Sequence, residues 1–346
     1  MTPVALPTRP LGTSGLHITT VGYGAWAIGG LGWEHAWGPQ SDRDSIATIR
    51  HAVDSGINWI DTAPVYGHGH SEEVVGAALA GIPEPDRPYV FTKCGLIWDP
   101  ADPMRSATAD ARRIRWEVEH SLRRLRTERL DLLQVHWPPT AGPPLDVYWA
   151  EMVGLRASGK VAAIGLSNHD TGRLEAAERI GHVDSLQPPL SLLRREAASA
   201  EIPWCAEHGT GVINYSPLES GLLSGAFSAE RVAALPETDW RRTAPEFTGD
   251  RLDRTLRLVG VLGRVAERHE AVDGRRVGVA AVAVAWTLSW PGVTGAIVGA
   301  RQPAQVDDWL AAASVRLSPD DLDEIAAAIA ATGAGSGPAR PPVPVP

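Results

Sequence analysis

Four side chains of this 346-residue chain are of the right types to donate a proton to a carbonyl oxygen if folding brings them together. Asp61 and Tyr66 lie in GINWIDTAPVYGHGHSEEVVG (residues 56–76), Lys93 lies in VFTKCG and His136 in LLQVHWP. A phenol ionises near pH ~10 and is a weak acid at neutral pH. A lysine ammonium beside it stabilises the phenolate, and an aspartate beside the lysine keeps that ammonium charged and oriented. A histidine can share a hydrogen bond with the same substrate oxygen. Taken singly, Asp61 reads as a loop-capping acid and Tyr66 as a packed aromatic; only the group argues for chemistry.

These residues need rigid elements to hold them. Residues 58–63 read as a short buried strand, followed by a glycine-rich loop carrying Tyr66 and then a helix with Ser71 as N-cap and Glu72 and Glu73 in its first turn. Further candidate strands are 21–25, 89–94, 130–137, 162–168, 185–190, 211–217 and 295–300, so Asp61, Lys93 and His136 fall at the ends of the second, third and fourth. Helical patterns separate them at 42–55, 71–80, 108–126, 146–158, 171–180, 196–208 and 277–289, with 303–313 after the last strand. Eight βα units whose strands are apolar rather than alternating predict an α/β fold, a parallel (β/α)8 TIM barrel whose chemistry sits on the C-terminal face. The rival open doubly wound sheet requires G-x-G-x-x-G after its first strand, and Gly22-Tyr-Gly24 has no third glycine at that spacing.

Residues 9–19 predict an N-terminal β-hairpin. Three long βα connections, 26–41, 96–107 and 218–260, the last with a helical turn of its own, are expected to cover the same face as Asp61. The expected organisation is a disordered leader over 1–8, one barrel domain over 9–331 and a disordered Gly/Pro-rich tail over 332–346.

A formal charge of −9 argues against nucleic acid or an acidic membrane as partner. Two cysteines, Cys94 and Cys205, make neither a disulfide framework nor a four-ligand zinc site. No charged-then-apolar signal opens the chain, which predicts a cytoplasmic protein, and the apolar run 277–290 is too short and too interrupted to span a bilayer. His35, His68 and His70 read as solvated loop histidines, so no metal is expected. Cys94 points away from Lys93 by strand alternation and reads as packed core. The arginine-rich stretch 112–126 reads as the solvated face of a helix whose apolar stripe is Ile114, Val118, Leu122 and Leu125.

The motifs GINWIDTAPVYG, VFTKCG, EVEHSLRRLRTERLDLLQVHWP, GKVAAIGLSN, SLQPPL, INYSPLESGLLSG and IVGARQPAQVDDWL occur in this order, and the chain resembles the aldo-keto reductase superfamily from about residue 9 to 323. The resemblance implies a catalytic tetrad of Asp61, Tyr66, Lys93 and His136, with Tyr66 as general acid in the NADPH-dependent reduction of an aldehyde or ketone. It implies cofactor contacts from Gly24 and Trp26, from Ser167, Asn168 and Gln187 to the carboxamide, and from Tyr215 to the nicotinamide ring. Ser216, Leu218, Gly221 and Ser224 would form the pyrophosphate loop, with Gly299, Ala300, Arg301, Gln305 and Asp308 at the adenosine end. Arg301 favours NADPH over NADH, since a guanidinium binds a 2′-phosphate bidentately. Two departures stand out: Leu190, where relatives have tyrosine, and Trp309, where many have asparagine beside the adenine. Loop tryptophans Trp26, Trp33, Trp98 and Trp137 would line a pocket for apolar or ring-bearing carbonyl compounds. Two other readings share the tetrad: a regulatory module resembling the potassium-channel beta subunits, and a dedicated biosynthetic ketoreductase. A homo-oligomer is compatible with all three.

Overall fold

In the computed structural model, which describes residues 5–33, 36–99, 102–107, 110–139, 142–237, 239–271, 274 and 276–342, eight parallel strands close into a barrel. A hairpin of β1 (Thr8–Pro10) and β2 (His17–Thr19) precedes it. The barrel strands are β3 (Val21–Gly24), β4 (Trp59–Asp61), β5 (Tyr89–Cys94), β8 (Leu130–Val135), β9 (Val161–Ser167), β10 (Ser185–Gln187), β11 (Gly211–Asn214) and β12 (Val293–Gly299). Between β5 and β8, β6 (Leu96–Asp99) and β7 (Asp102–Ala107) form a separate antiparallel hairpin where a long connection was expected.

Helices alternate with the strands as the periodicity predicts: α1 (Asp42–Asp54), α2 (His70–Leu79), α3 (Ala111–Leu125), α4 (Leu145–Ala157), α5 (Thr171–Glu178) and α6 (Glu201–His208). After β11 come α7 (Ala229–Ala233), α8 (Gly249–Ala266) and α9 (Val279–Leu288), and after β12 come α10 (Pro303–Leu310) and α11 (Pro319–Thr332). The 18-residue α8 is far more than the helical turn expected in that connection; its buried stripe of Leu252, Leu258, Leu262 and Val265 is interleaved with arginines and two glycines. Among the described residues no helix is long and apolar enough to cross a membrane.

Strand alternation divides the core in two. Outward-facing residues such as Val21, Ile60, Val90, Leu133 and Ile164 pack under the helices. Inward-facing Trp59, Phe91, Leu132, Ala163, Ile213 and Ile297 fill the barrel and are joined by Leu11, Leu16 and Ile18 of the hairpin, which therefore plugs one end. Trp59 fits because Gly22 is a glycine: a Cβ there would lie 2.1 Å from the indole ring. The indole N–H donates to the Thr19 carbonyl at 2.8 Å. Towards the C-terminal ends of β4, β5, β8, β9 and β10 the interior becomes polar, with Asp61, Lys93, Gln134, Ser167 and Gln187 all buried.

Beyond α11 the chain is described as far as residue 342 and pairs with the segment around Arg195. The Ser336 amide donates to Leu193 O at 3.2 Å, Ser336 O accepts from the Arg195 amide at 3.0 Å, and the buried Arg195 guanidinium donates to Ala334 O and Gly337 O. Carbonyls that a Gly/Pro-rich chain cannot pair within itself are taken up by that guanidinium. At the other end the expected leader overlaps the hairpin, since Thr8 already belongs to β1 and Leu6 packs on the core. Residues 1–4 and 343–346 lie outside the described residues.

Candidate active site

Each of the four candidate catalytic side chains hangs from a strand end or the loop after it, on one face of the barrel. Asp61 ends β4, Lys93 is the penultimate residue of β5, His136 directly follows β8, and Tyr66 lies on the loop between β4 and α2. Lys93 joins them. Its Nζ donates to Asp61 Oδ1 at 2.5 Å, to Thr62 O at 2.9 Å and to Tyr66 Oη at 3.3 Å, using all three of its protons. The His136 ring meets the Tyr66 ring edge-on, with centroids 5.8 Å apart.

The loop bearing Tyr66 is fixed from α2. Its N-cap is Gly69 at φ 98°, not Ser71, because the serine has a different task. Buried in the first turn, the Ser71 hydroxyl donates to Ala25 O at 2.8 Å and pairs with Thr62 Oγ1 at 2.9 Å, tying the loop to β3 and β4.

Burial leaves the Asp61 carboxyl above its ordinary value, against the downward pull of the Lys93 ammonium and the Gln187 amide. Burial also disfavours the Lys93 ammonium, yet Asp61 and Tyr66 together hold it above its ordinary value, so the pair is an ammonium and a carboxylate. For Tyr66, burial outweighs the downward pull of Lys93 and the phenol stays above its ordinary value. The tyrosine therefore carries its proton at neutral pH, which a general acid there would require.

The residues expected to hold a dinucleotide follow the neighbouring strands. Ser167 ends β9 and its hydroxyl donates to Gln187 O at 2.9 Å; Asn168, at φ 60°, donates to His136 O at 3.0 Å and accepts from Tyr215 Oη at 2.8 Å. Gln187 spends its amide nitrogen on Asp61 Oδ2 (2.9 Å) and Gln134 Oε1 (3.0 Å), which turns its carbonyl oxygen away from both. Of the six non-glycine residues with positive φ among the described residues, Asn168, Ser216, Glu219 and Ser220 lie after β9 and β11. Backbone strain of this kind collects where a ligand must be met, and it falls on the expected carboxamide and pyrophosphate loops, which fits a dinucleotide. Leu218 and Gly221 belong to the same turn, while the Ser224 hydroxyl is tied into it by Gly221 O at 2.6 Å. Gly24 and Gly299 lie side by side at the ends of β3 and β12, and a Cβ on Gly24 would press on Ile297 at 2.7 Å.

At the expected adenosine end, Arg301 is already engaged. Its Nε donates to Gln40 Oε1 at 2.7 Å while Gln40 Nε2 donates back to Arg301 O at 3.0 Å, and the remaining nitrogens reach Trp37 O and Pro39 O. Arg241, paired with Asp239, lies 4.5 Å from the centre of the Trp37 ring and donates to Ser220 O at 3.2 Å. The connection after β3 is thus clasped to those after β11 and β12. Gln305 bends back onto the Arg301 and Gln302 amides as a capping box, and Asp308 is exposed on α10. Trp309 is 1% exposed and packs in the core. Leu190 is likewise buried.

Among the expected pocket residues, Trp26 contacts Trp33 (6.0 Å) and Trp37 (5.3 Å) edge-on, and Trp33 lies 5.9 Å from the Tyr66 ring. Trp137, next to His136 in the chain, is exposed. The side chain of Trp98 lies outside the described residues, as does His35; His70 pairs with Asp42 at 2.8 Å. Cys94 is buried, its Sγ 3.8 Å from Met152 Sδ. Gln134 and the Trp37–Gln40 segment escaped the sequence reading. The first carried a signal, because a glutamine two residues before His136 on an apolar strand faces the same interior.

The profile of the Aldo/keto reductase family matches residues 20–330. The chain is 34% identical over 312 residues to the aldo-keto reductase YhdN of Bacillus subtilis, with 90% of each chain covered. It is 32% identical over 327 residues to the NADH-specific methylglyoxal reductase of Escherichia coli, covering 90% of this chain and 95% of that one. The solved glycerol dehydrogenase AKR11B4 from Gluconobacter oxydans superposes with a TM-score of 0.82 at 33% identity, over 100% of this chain and 99% of that chain. Barrel and relatives agree: the chain belongs to the aldo/keto reductase family and is an NAD(P)H-dependent oxidoreductase acting on small carbonyl compounds.

Proposed function

We propose that the protein reduces an aldehyde or ketone to the alcohol with NADPH, and that Tyr66 is the general acid. The observation that carries this is the buried Lys93 ammonium shared between Asp61 and Tyr66. When bound, the nicotinamide supplies a hydride to the carbonyl carbon. Tyr66 donates a proton to the carbonyl oxygen, and Lys93 stabilises the phenolate left behind; Asp61, itself held by Gln187, keeps the lysine charged. His136 shares the pocket with the phenol and is the second donor to the same oxygen. Ser167, Asn168 and the Gln187 carbonyl would hold the carboxamide, and Tyr215 the ring.

Arg301 supports the choice of NADPH. Among the described residues it donates only to neutral carbonyl oxygens, so no carboxylate there neutralises it directly, and Asp239 is spent on Arg241. The wall of Trp26, Trp33 and Tyr66 favours apolar or ring-bearing substrates. In Tyr66→Phe, carbonyl reduction across an aldehyde panel is expected to vanish while NADPH still quenches tryptophan fluorescence with nearly unchanged affinity. Full activity in that variant would sink the assignment of Tyr66.

A further inference from the structure

Outside the barrel wall, behind the tetrad, two buried carboxylates grip the strand that carries Lys93. Lys93 points inward, so its neighbours Thr92 and Cys94 point outward under the helices. Glu72 of α2, fully buried, accepts Thr92 Oγ1–H at 2.6 Å and Arg124 Nε–H at 2.7 Å. Glu117 of α3, also buried, accepts the Gly95 N–H at 2.7 Å and Arg113 Nε–H at 3.1 Å. Glu117 stands in the buried stripe of its helix with Ile114, Val118, Ser121 and Leu125, a position where a carboxylate is costly unless it has work to do.

That work is visible in one peptide unit. The Cys94–Gly95 peptide gives its N–H to Glu117, and its carbonyl accepts the His136 N–H at 2.9 Å. A peptide is planar, so fixing one edge fixes the other. The same unit follows Lys93 by one residue and opens into the β6–β7 hairpin at Gly95, whose φ of 84° makes it a natural pivot. Two of the four catalytic side chains thus depend on how this single plane is held.

We propose that Glu117 is a positioning residue for the reaction, its ionised carboxylate setting the Cys94–Gly95 plane on which Lys93 and His136 both rely. This rests on the roles given to Lys93 and His136 above. Burial pushes the Glu117 carboxyl up to about 7, against the Gly95 amide and Arg113, and Glu72 adds to the rise. The charged and titratable groups facing it are Arg113 on its own helix, Glu72 from α2 with Arg124 beyond it, and the Cys94 thiol of β5, itself pushed well up by burial and by Glu117. A carboxyl pushed up to about 7 changes charge around neutral pH, and protonation replaces a charge-assisted bond to Gly95 with a weaker neutral one.

The test compares wild type, Glu117→Gln and Glu117→Ala by the pH dependence of kcat, by NADPH affinity and by hydrogen–deuterium exchange at the Gly95 amide. Wild type is expected to show an ascending limb in kcat centred near pH 7 that Glu117→Gln lacks, with the glutamine holding a pH-independent rate. Glu117→Ala should lower kcat about tenfold, the scale of one lost hydrogen bond, with NADPH affinity unchanged and faster Gly95 exchange. An ascending limb that survives in Glu117→Gln would overturn the proposal, as would Gly95 exchange as slow in Glu117→Ala as in wild type. If Glu117→Ala does not fold, the glutamine profile alone decides. Exchange reads the tie whatever the reaction is, so its result stands apart from that of Tyr66→Phe.

Discussion

Replacing Lys93 by methionine isolates what its ammonium does, because methionine fills much of the same volume and takes away only the charge and the donors. At 2.5 Å the attraction between Lys93 and Asp61 is about 7 kcal/mol for an effective dielectric constant of about 20. Most of that is offset by the cost of drying both ions, so the intact pair adds little net stability. Removing one partner is another matter: Asp61 stays buried at 3% exposure with Gln187 as its remaining side-chain donor. Breaking such a pair costs about 3–5 kcal/mol. Lys93→Met should therefore be destabilised by that amount in urea unfolding at pH 7.5, and the double variant Asp61→Asn, Lys93→Met should regain about 2 kcal/mol or more, because the stranded charge is gone. Catalysis should not follow stability. Both variants should lose on the order of 10²–10⁴ in kcat, since neither can stabilise the Tyr66 phenolate. A double variant no more stable than Lys93→Met would show that Asp61 is not held as a carboxylate by Lys93. A double variant that recovers activity along with stability would refute the place of Lys93 in the proton transfer.

Three further perturbations probe the frame around the tetrad. Arg301→Ala should weaken NADPH about 10–100-fold in a fluorescence titration, the worth of a charged hydrogen bond, and NADH much less, whereas Gln40→Ala should keep the NADPH preference; equal losses for both nucleotides in Arg301→Ala would reduce the arginine to a clasp on Trp37 and Pro39. Gly22→Ala should cost at least about 3 kcal/mol in thermal or urea unfolding, because its methyl would enter the Trp59 ring, and Trp59→Phe should recover part of the loss; a silent Gly22→Ala would mean that the barrel interior yields there. Ending the chain at Thr332 should lower the thermal midpoint by several degrees, since the Arg195 side chain would lose Ala334 O and Gly337 O and its backbone would lose Ser336 O; an unchanged midpoint would show that the tail contributes no stability.

The barrel was legible because its strands are apolar on both faces and separated by helical periodicity, a pattern that few folds share. The convergence of Asp61, Tyr66, Lys93 and His136 was legible because they sit at strand ends or on the loop after one. What stayed hidden has a common physical origin. In α8, Arg251, Arg254, Arg257 and Arg264 interrupt the run of leucines and valines, so the stripe shows only once the partner α11 is in place. Arg301 reaches Gln40 across 261 residues of sequence, a distance over which no periodicity carries information, and its neutral partners leave no charge pattern to read. Gly22 looks like one more glycine until the Trp59 ring from the next strand is laid across it. Gln134 and Glu117 differ from these, because each is a polar residue standing in an apolar register that the sequence displays plainly. Such a residue costs stability unless it is paired, so its presence announces a partner before the partner is known. In both cases that partner leads to the tetrad: Gln134 through Gln187 to Asp61, and Glu117 through the Cys94–Gly95 peptide to Lys93 and His136. Polar exceptions in an apolar register thus mark which strands carry the chemistry, even where the chemistry itself is written on the neighbouring residue.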